Sequence, residues 1–237
     1  LDTIGYIPAN SAASFSIIPK FQFASEQIGY AFSIPLAEGS EFFKTSDGGV
    51  NWNVVEVDAG QVIEIRDIAF ANEDLGALAI GGNELAITEN GGMDWQRVLV
   101  ESIEGIIQTI VWDEVYGIFI SVFDWANSKN VILKSLDNGA SWETIFTFET
   151  GQPLLAEVMA ETLIIYNRIQ MLRISISGTL LSETALDELW EDFYVINANE
   201  YARLSVRGGL FVTEDSGQTW EKIKDTEGSS GLAELTG

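Results

Sequence analysis

The sequence contains no cysteine and no histidine, and it has only 4 prolines. Without cysteine there is neither a disulfide nor a thiolate metal site. Without histidine, a Ser-His-Asp or Cys-His catalytic machine cannot be assembled. Zinc chemistry with its usual ligands is excluded for the same reason. Basic residues are also scarce, 12 against 36 acidic ones, which leaves a net charge of −24. Such a surface repels phosphate backbones, so no nucleic-acid partner is expected. Anionic membrane is disfavoured likewise. The charge keeps the chain soluble, and its sharper use is attraction for cations or a basic partner. No run approaches the ~18 apolar residues of a transmembrane segment. No calcium loop of the EF-hand type is present. Neither a metal nor another cofactor is expected.

What is present is a hairpin written four times. The copies are Thr45-Ser46-Asp47-Gly48-Gly49-Val50-Asn51-Trp52, Thr88-Glu89-Asn90-Gly91-Gly92-Met93-Asp94-Trp95, Ser135-Leu136-Asp137-Asn138-Gly139-Ala140-Ser141-Trp142 and Thr213-Glu214-Asp215-Ser216-Gly217-Gln218-Thr219-Trp220. The shared pattern is Ser/Thr-x-Asp/Asn-x-Gly-x-x-Trp. The carboxylate or amide accepts backbone N–H groups further along and so mimics a turn. The hydroxyl two positions earlier ties down the start of the bend. The fixed glycine supplies the positive φ of a tight hairpin. The tryptophan re-enters a strand and covers the hairpin base.

The copies begin at 45, 88, 135 and 213, at intervals of 43, 47 and 78 residues. A period in the forties is that of a four-stranded propeller blade. The last interval is near two periods, so one blade without this hairpin belongs inside it. The expected fold is all-β, a β-propeller of four-stranded antiparallel blades. Five blades account for the chain, or six if residues 1–19 and the tail build another. One domain over 1–237 is expected, since all-β folds of this length form single units. Its blades fall near 20–57, 65–100, 107–148, 155–185 and 193–224. Residues 1–19 would open the chain and help close a ring, and 225–237 would form a tail. Phe21 and Phe23 flank Gln22 in the alternation of a half-buried strand. Phe23 precedes Gly29, and Phe70 precedes Gly76, by the same interval of six. In the third blade Trp112 takes the aromatic place, one residue nearer its glycine.

The hairpin resembles the Asp-box, the bacterial neuraminidase repeat. In that family the box joins the third and fourth strands of a blade. It occurs in sialidases, sortilin, xyloglucan hydrolases and photosystem II stability-factor-like proteins. The resemblance implies a structural role for Thr45, Asp47, Gly49 and Trp52. It implies the same for Thr88, Asn90, Gly92 and Trp95, for Ser135, Asp137, Gly139 and Trp142, and for Thr213, Asp215, Gly217 and Trp220. It also places the boxes on the face away from the ligand.

Strand direction then sends ligand contacts to the loops between second and third strands and between blades. Two of these stand out as long, Ser33–Glu41 with Glu38, and Asp124–Asn130 with Asp124, Trp125, Asn127 and Lys129. Trp125 is the leading candidate, because an aromatic ring at a loop tip stacks on a sugar or a partner side chain. Trp190 falls in a blade connection, and Asp58, Glu101, Glu104 and Glu149 make these connections acidic. Arg66 opens an inner strand and could face the channel. A sialidase site, as the family implies, holds its substrate with three arginines and carries Arg-Ile-Pro near its start. Here Tyr6-Ile7-Pro8 and Ile17-Ile18-Pro19 keep only the Ile-Pro, and the chain has six arginines in all.

The expected function is therefore non-catalytic binding of a protein or glycan, with no catalytic residue assigned. The chain resembles the stability-factor and sortilin branch more than the sialidases. The alternative is a glycoside hydrolase, which needs only two facing carboxylates. The start at Leu1 without a leader pattern suits a mature exported form. The absence of cysteine and of Asn-x-Ser/Thr sequons suits a prokaryotic source. A secreted, periplasmic or cell-surface location follows, in which the chain could serve a larger assembly.

Overall fold

The computed structural model describes residues 17–34, 39–57, 63–101, 103–148, 154–167, 170–185 and 190–225. The fold is all-β: a five-bladed β-propeller whose blades are four-stranded antiparallel sheets. No helix occurs among the described residues, so none is long and apolar enough to cross a membrane. Contacts divide the chain into two compact units, Leu1–Thr150 and Gly151–Gly237.

The first unit holds three blades. Blade one consists of β1 (Ile17–Phe23), β2 (Gly29–Ile34), β3 (Glu41–Thr45) and β4 (Asn53–Val55). Blade two consists of β5 (Asp67–Phe70), β6 (Gly76–Ala79), β7 (Glu84–Thr88) and β8 (Gln96–Leu99). Blade three consists of β9 (Gly105–Asp113), β10 (Gly117–Asp124), β11 (Lys129–Ser135) and β12 (Glu143–Phe148). In the second unit, blade four comprises β13 (Leu154–Met159), β14 (Thr162–Tyr166), β15 (Gln170–Ser175) and β16 (Leu180–Ala185). Blade five comprises β17 (Trp190–Val195), β18 (Tyr201–Ser205), β19 (Gly209–Thr213) and β20 (Glu221–Asp225). In every blade the strands pair in chain order.

The burial of each strand follows its place in the blade. β6 and β18 are buried at every residue, whereas β8 and β16 are exposed or half-buried throughout. Middle strands are covered on both faces, so they read as apolar runs rather than alternating ones. Ala77 and Ala79 turn to blade three, where their small side chains admit Ile110 and Trp112. Leu78 turns the other way and joins Tyr30, Phe32 and Phe42 of blade one. In the second unit Ile164 and Met171 pack against Phe193 and Tyr201.

The Phe–Gly interval fixes register. Phe23 lies opposite Gly29, and Phe70 opposite Gly76. The Phe70 ring covers its partner so closely that a Cβ on Gly76 would sit 2.1 Å from it. That ring stacks on Tyr30 of blade one, with centroids 3.5 Å apart and planes within 5°. Blade three departs from the pattern: Trp112 lies opposite Ile118, and Gly117 opposite Asp113. In β1 the alternation is real but its sides differ from expectation. Phe21 and Phe23 are 65% and 42% exposed, while the polar Gln22 is half-buried toward blade two.

Gln22 explains its own position. Its Nε2 donates to the Phe70 carbonyl at 3.0 Å, and its Oε1 accepts the Phe70 N–H at 2.8 Å. A side-chain amide thus substitutes for a backbone partner between blades. Asp67 performs a wider linkage. Its Oδ1 accepts from Lys20 Nζ of blade one at 2.7 Å, and its Oδ2 accepts the buried Ile110 N–H of blade three at 2.8 Å. One nearly buried carboxylate therefore joins the first strands of three successive blades.

Candidate functional site

The four boxes share one hydrogen-bond pattern. Thr45 Oγ1 donates to Asp47 Oδ1 at 2.8 Å and accepts the Gly49 N–H at 2.9 Å. Asp47 Oδ1 accepts the Asn51 N–H at 2.8 Å, and Oδ2 accepts Asn51 Nδ2 at 2.7 Å. The third box repeats this with Ser135, Asp137, Gly139 and Ser141, and the fourth with Thr213, Asp215, Gly217 and Thr219. In the second, Asn90 Oδ1 accepts the Asp94 N–H at 2.9 Å, while Asn90 Nδ2 donates to Asp94 Oδ2 at 3.0 Å.

Two features of this turn go beyond the Ser/Thr-x-Asp/Asn-x-Gly-x-x-Trp pattern. The residue before each Trp (Asn51, Asp94, Ser141, Thr219) completes the ring of hydrogen bonds, and all four are short and polar. The residue before each fixed glycine also has positive φ: 69° at Gly48, 66° at Gly91, 53° at Asn138 and 60° at Ser216. The glycines follow at 85–90°. Two successive positive φ values near these angles mark a type I′ turn, which matches the twist of the flanking strands. The tryptophans sit one residue before the fourth strand rather than inside it. Trp52 and Trp142 fold back, donating Nε1 to the carbonyls of Gly49 and Gly139 at 3.1 and 3.0 Å.

The carboxylates of Asp47, Asp137 and Asp215 are held ionised. Asp215 falls to about 2, chiefly through the Thr219 hydroxyl and then the Thr219 N–H and Thr213. Asp137 is lowered first by the Ser141 hydroxyl, and Asp47 first by the Asn51 N–H. The second, third and fourth boxes also dock on the preceding blade. The Gly91 carbonyl accepts Lys44 Nζ at 2.7 Å, and Tyr30 donates its hydroxyl to the nearby Glu73 carbonyl at 2.9 Å. Burial of that phenol, followed by the charges of Asp74 and Glu73, raises Tyr30 to about 12. Gly139 rests on Ile87 and Val98 of blade two. In the second unit Gly217 meets Met171 of blade four. Blade four has no box; Ser175, Ser177 and Gly178 make a smaller turn, with Thr179 N–H donating to Ser175 Oγ at 2.9 Å.

The expected loop at Asp124–Asn130 is shorter than anticipated. β10 runs on to Asp124 and β11 starts at Lys129, which leaves a four-residue turn. Asp124 is buried and turned into that turn. Its Oδ1 accepts the N–H groups of Ala126 and Asn127 at 2.9 and 3.3 Å, and its Oδ2 accepts Asn127 Nδ2 at 2.7 Å. Trp125 N–H donates to the Glu104 carbonyl at 2.9 Å, and Ser128 closes the turn at φ 53°. The indole itself is 55% exposed. Asp124 and Asn127 therefore position Trp125, whose side chain is left exposed.

The other candidates are dispersed. Arg66 is exposed, and its Nη2 pairs with Glu64 at 2.9 Å. Arg97 pairs with Glu84 at 3.1 Å. In the second unit Arg203 is buried between the rings of Phe211 and Trp220, each 4.5 Å from its guanidinium carbon. Trp190 opens β17 opposite Ser205. Glu38, Asp58 and Glu149 lie outside the described residues. Among the described residues no group of carboxylates is arranged to hold a metal ion.

The cavities described lie at the boxes, not at the Trp125 turn. One, of ≈ 500 Å³, has Glu89, Asp94 and Asp137 on its banks and Ile87 and Val98 below. A second, of ≈ 620 Å³, continues past Leu99 and Glu101 along β8, with Ala140 and Trp142 opposite. The two share Gln96, Val98 and Ala140, so they form one trough between β8 and the third box.

No protein-family model matches the chain, and no curated protein matches it. Solved structures do. One described as YCF48 bound to D1 peptide has a TM-score of 0.52 at 13% identity, covering 94% of this chain and 87% of that one. YCF48 from Cyanidioschyzon merolae gives 0.59 at 12% identity, with 90% and 86% covered. The GH74 enzyme of Niastella koreensis gives 0.61 at 16% identity, but the match covers only 38% of that longer chain. At these identities the likeness is one of fold.

Proposed function

We propose that the chain is a non-catalytic, exported scaffold of the Asp-box kind, on the stability-factor-like side, that recognises a protein partner through the Trp125 turn. The observation that carries this is an indole more than half exposed on a turn whose backbone is already fixed. A large apolar ring left in water gains from burial at an interface, and a rigid turn gives up little entropy when it binds. Acidic residues nearby, such as Glu104, form a polar rim. A similar fold holds a peptide in the structure described as YCF48 bound to D1 peptide. The excess of acidic residues and the lack of cysteine suit a subunit of a prokaryotic envelope or surface assembly.

The test is a comparison of immobilised wild-type chain with Trp125→Ala, each exposed to solubilised native envelope. Proteins retained by the first and lost by the second support the reading. Identical sets retained by both remove Trp125 from the interface.

A further inference from the structure

The trough beside β8 does not depend on the Trp125 turn, which joins β10 to β11 at the other end of blade three from its box. β8 is the edge strand of blade two, and no described strand pairs with its outer side. Edges of this kind accept an added strand through main-chain hydrogen bonds. The opposite bank is the third box. It is tied to the second by Asn138 Nδ2, which donates to Glu89 Oε1 at 2.9 Å. The channel between them is therefore braced at one end rather than left to close.

Its chemistry selects an occupant. Glu89, Asp94 and Asp137 line one part and Glu101 the next. Among the described residues none of them forms an ion pair with Lys or Arg. Among the described lining residues the cation is Arg97, which is engaged with Glu84. Below the carboxylates, Ile87 and Val98 give an apolar floor. Lysine and arginine suit such a channel, because their stems lie on apolar surface while their heads reach the rim.

We propose that this trough is a second binding site, which takes an extended protein segment bearing lysine or arginine at alternate positions and adds it as a strand to β8. Alternation follows from strand geometry: successive side chains point to opposite faces, so every second one meets the acidic bank.

The probe is a fluorescein-labelled peptide of alternating valine and lysine, read by anisotropy with the full chain. Three comparisons accompany it: a glutamate-for-lysine peptide, a lysine peptide N-methylated at alternate residues, and protein variants. Glu89→Gln with Asp94→Asn should weaken lysine-peptide binding about fivefold or more, the size of a few screened ion pairs. Glu183→Gln with Glu221→Gln changes net charge equally on exposed strands elsewhere and should leave binding unchanged. N-methylation should weaken binding comparably, and Trp125→Ala should not affect it. The proposal is overturned if the lysine peptide fails to bind or the glutamate peptide binds as well. Equal losses in the two charge variants, or indifference to N-methylation, would also overturn it. A loss with Trp125→Ala would place the peptide on the other site and overturn it too.

Discussion

Asp47 and Asn51 hold the first box by two hydrogen bonds, and Asn90 and Asp94 hold the second with the amide and the carboxylate exchanged. The exchange shows that each box needs one acceptor and one donor across the turn, whichever side supplies them. Asn51→Asp should therefore lower the melting temperature, because it faces two carboxylates at hydrogen-bond distance. Adding Asp47→Asn should restore it. A single variant as stable as wild type would contradict this pairing. The loss should also fade at acid pH, as one of the two carboxyls takes a proton.

The depressed carboxylate of Asp215 makes a separate prediction for acid stability. Its folded value of about 2 lies below the ordinary 3.8. Its contribution is thus complete above about 4 and is lost as the pH falls toward 2. Carboxyl chemical shifts should place the Asp215 midpoint near 2. In Thr219→Val, which removes the largest cause, the midpoint should rise. An unchanged midpoint would assign the depression elsewhere.

Tyr30 makes the corresponding prediction at the alkaline end. The buried phenol ionises near 12 in the folded chain and near 10 when unfolded. Its contribution is complete below about 10 and disappears as the pH rises to about 12. Urea unfolding of Tyr30→Phe should show a loss of about 1 kcal/mol at neutral pH, the usual worth of one hydrogen bond. The variant should lack the part of the alkaline decline that belongs to Tyr30. Parallel alkaline curves for the two proteins would contradict this.

Asp67 joins three blades, so its removal should be costly. Asp67→Ala leaves the buried Ile110 N–H without its acceptor, a loss of about 1–3 kcal/mol. Lys20→Met should cost about 1 kcal/mol or less, because the lysine side chain is 39% exposed and Asp67 Oδ1 keeps the Ile68 N–H as a donor. Equal costs in denaturant would mean that the ion pair, and not the Ile110 bond, carries the linkage.

The fold was legible because its cues are local and repeated. The box pattern marked four hairpins, and the doubled interval before Thr213 marked the blade without one. The Phe70–Gly76 interval gave register, since a strand pair turned by a short bend fixes which residues face each other. Gln22 and Asp67 were not legible. Their partners lie over 40 residues away, and nothing near either residue distinguishes a blade-to-blade acceptor from a solvated polar group. Asp94 and its equivalents carried a readable signal, a short polar residue before each Trp. The turn at Trp125 looked longer in the sequence than it is, because Asp124 and Lys129 are polar and yet end strands. The trough beside β8 had no signature, because it arises where one blade's edge meets the next blade's box.

The proposed binding role is tested most directly by quantitative capture from solubilised envelope, run in parallel on wild-type chain and on Trp125→Ala of equal melting temperature. Specific protein partners should be retained by the wild type and depleted at least about tenfold by the variant, as expected for loss of a central aromatic anchor. The same partners retained equally by both, or none retained by either, would contradict recognition through Trp125.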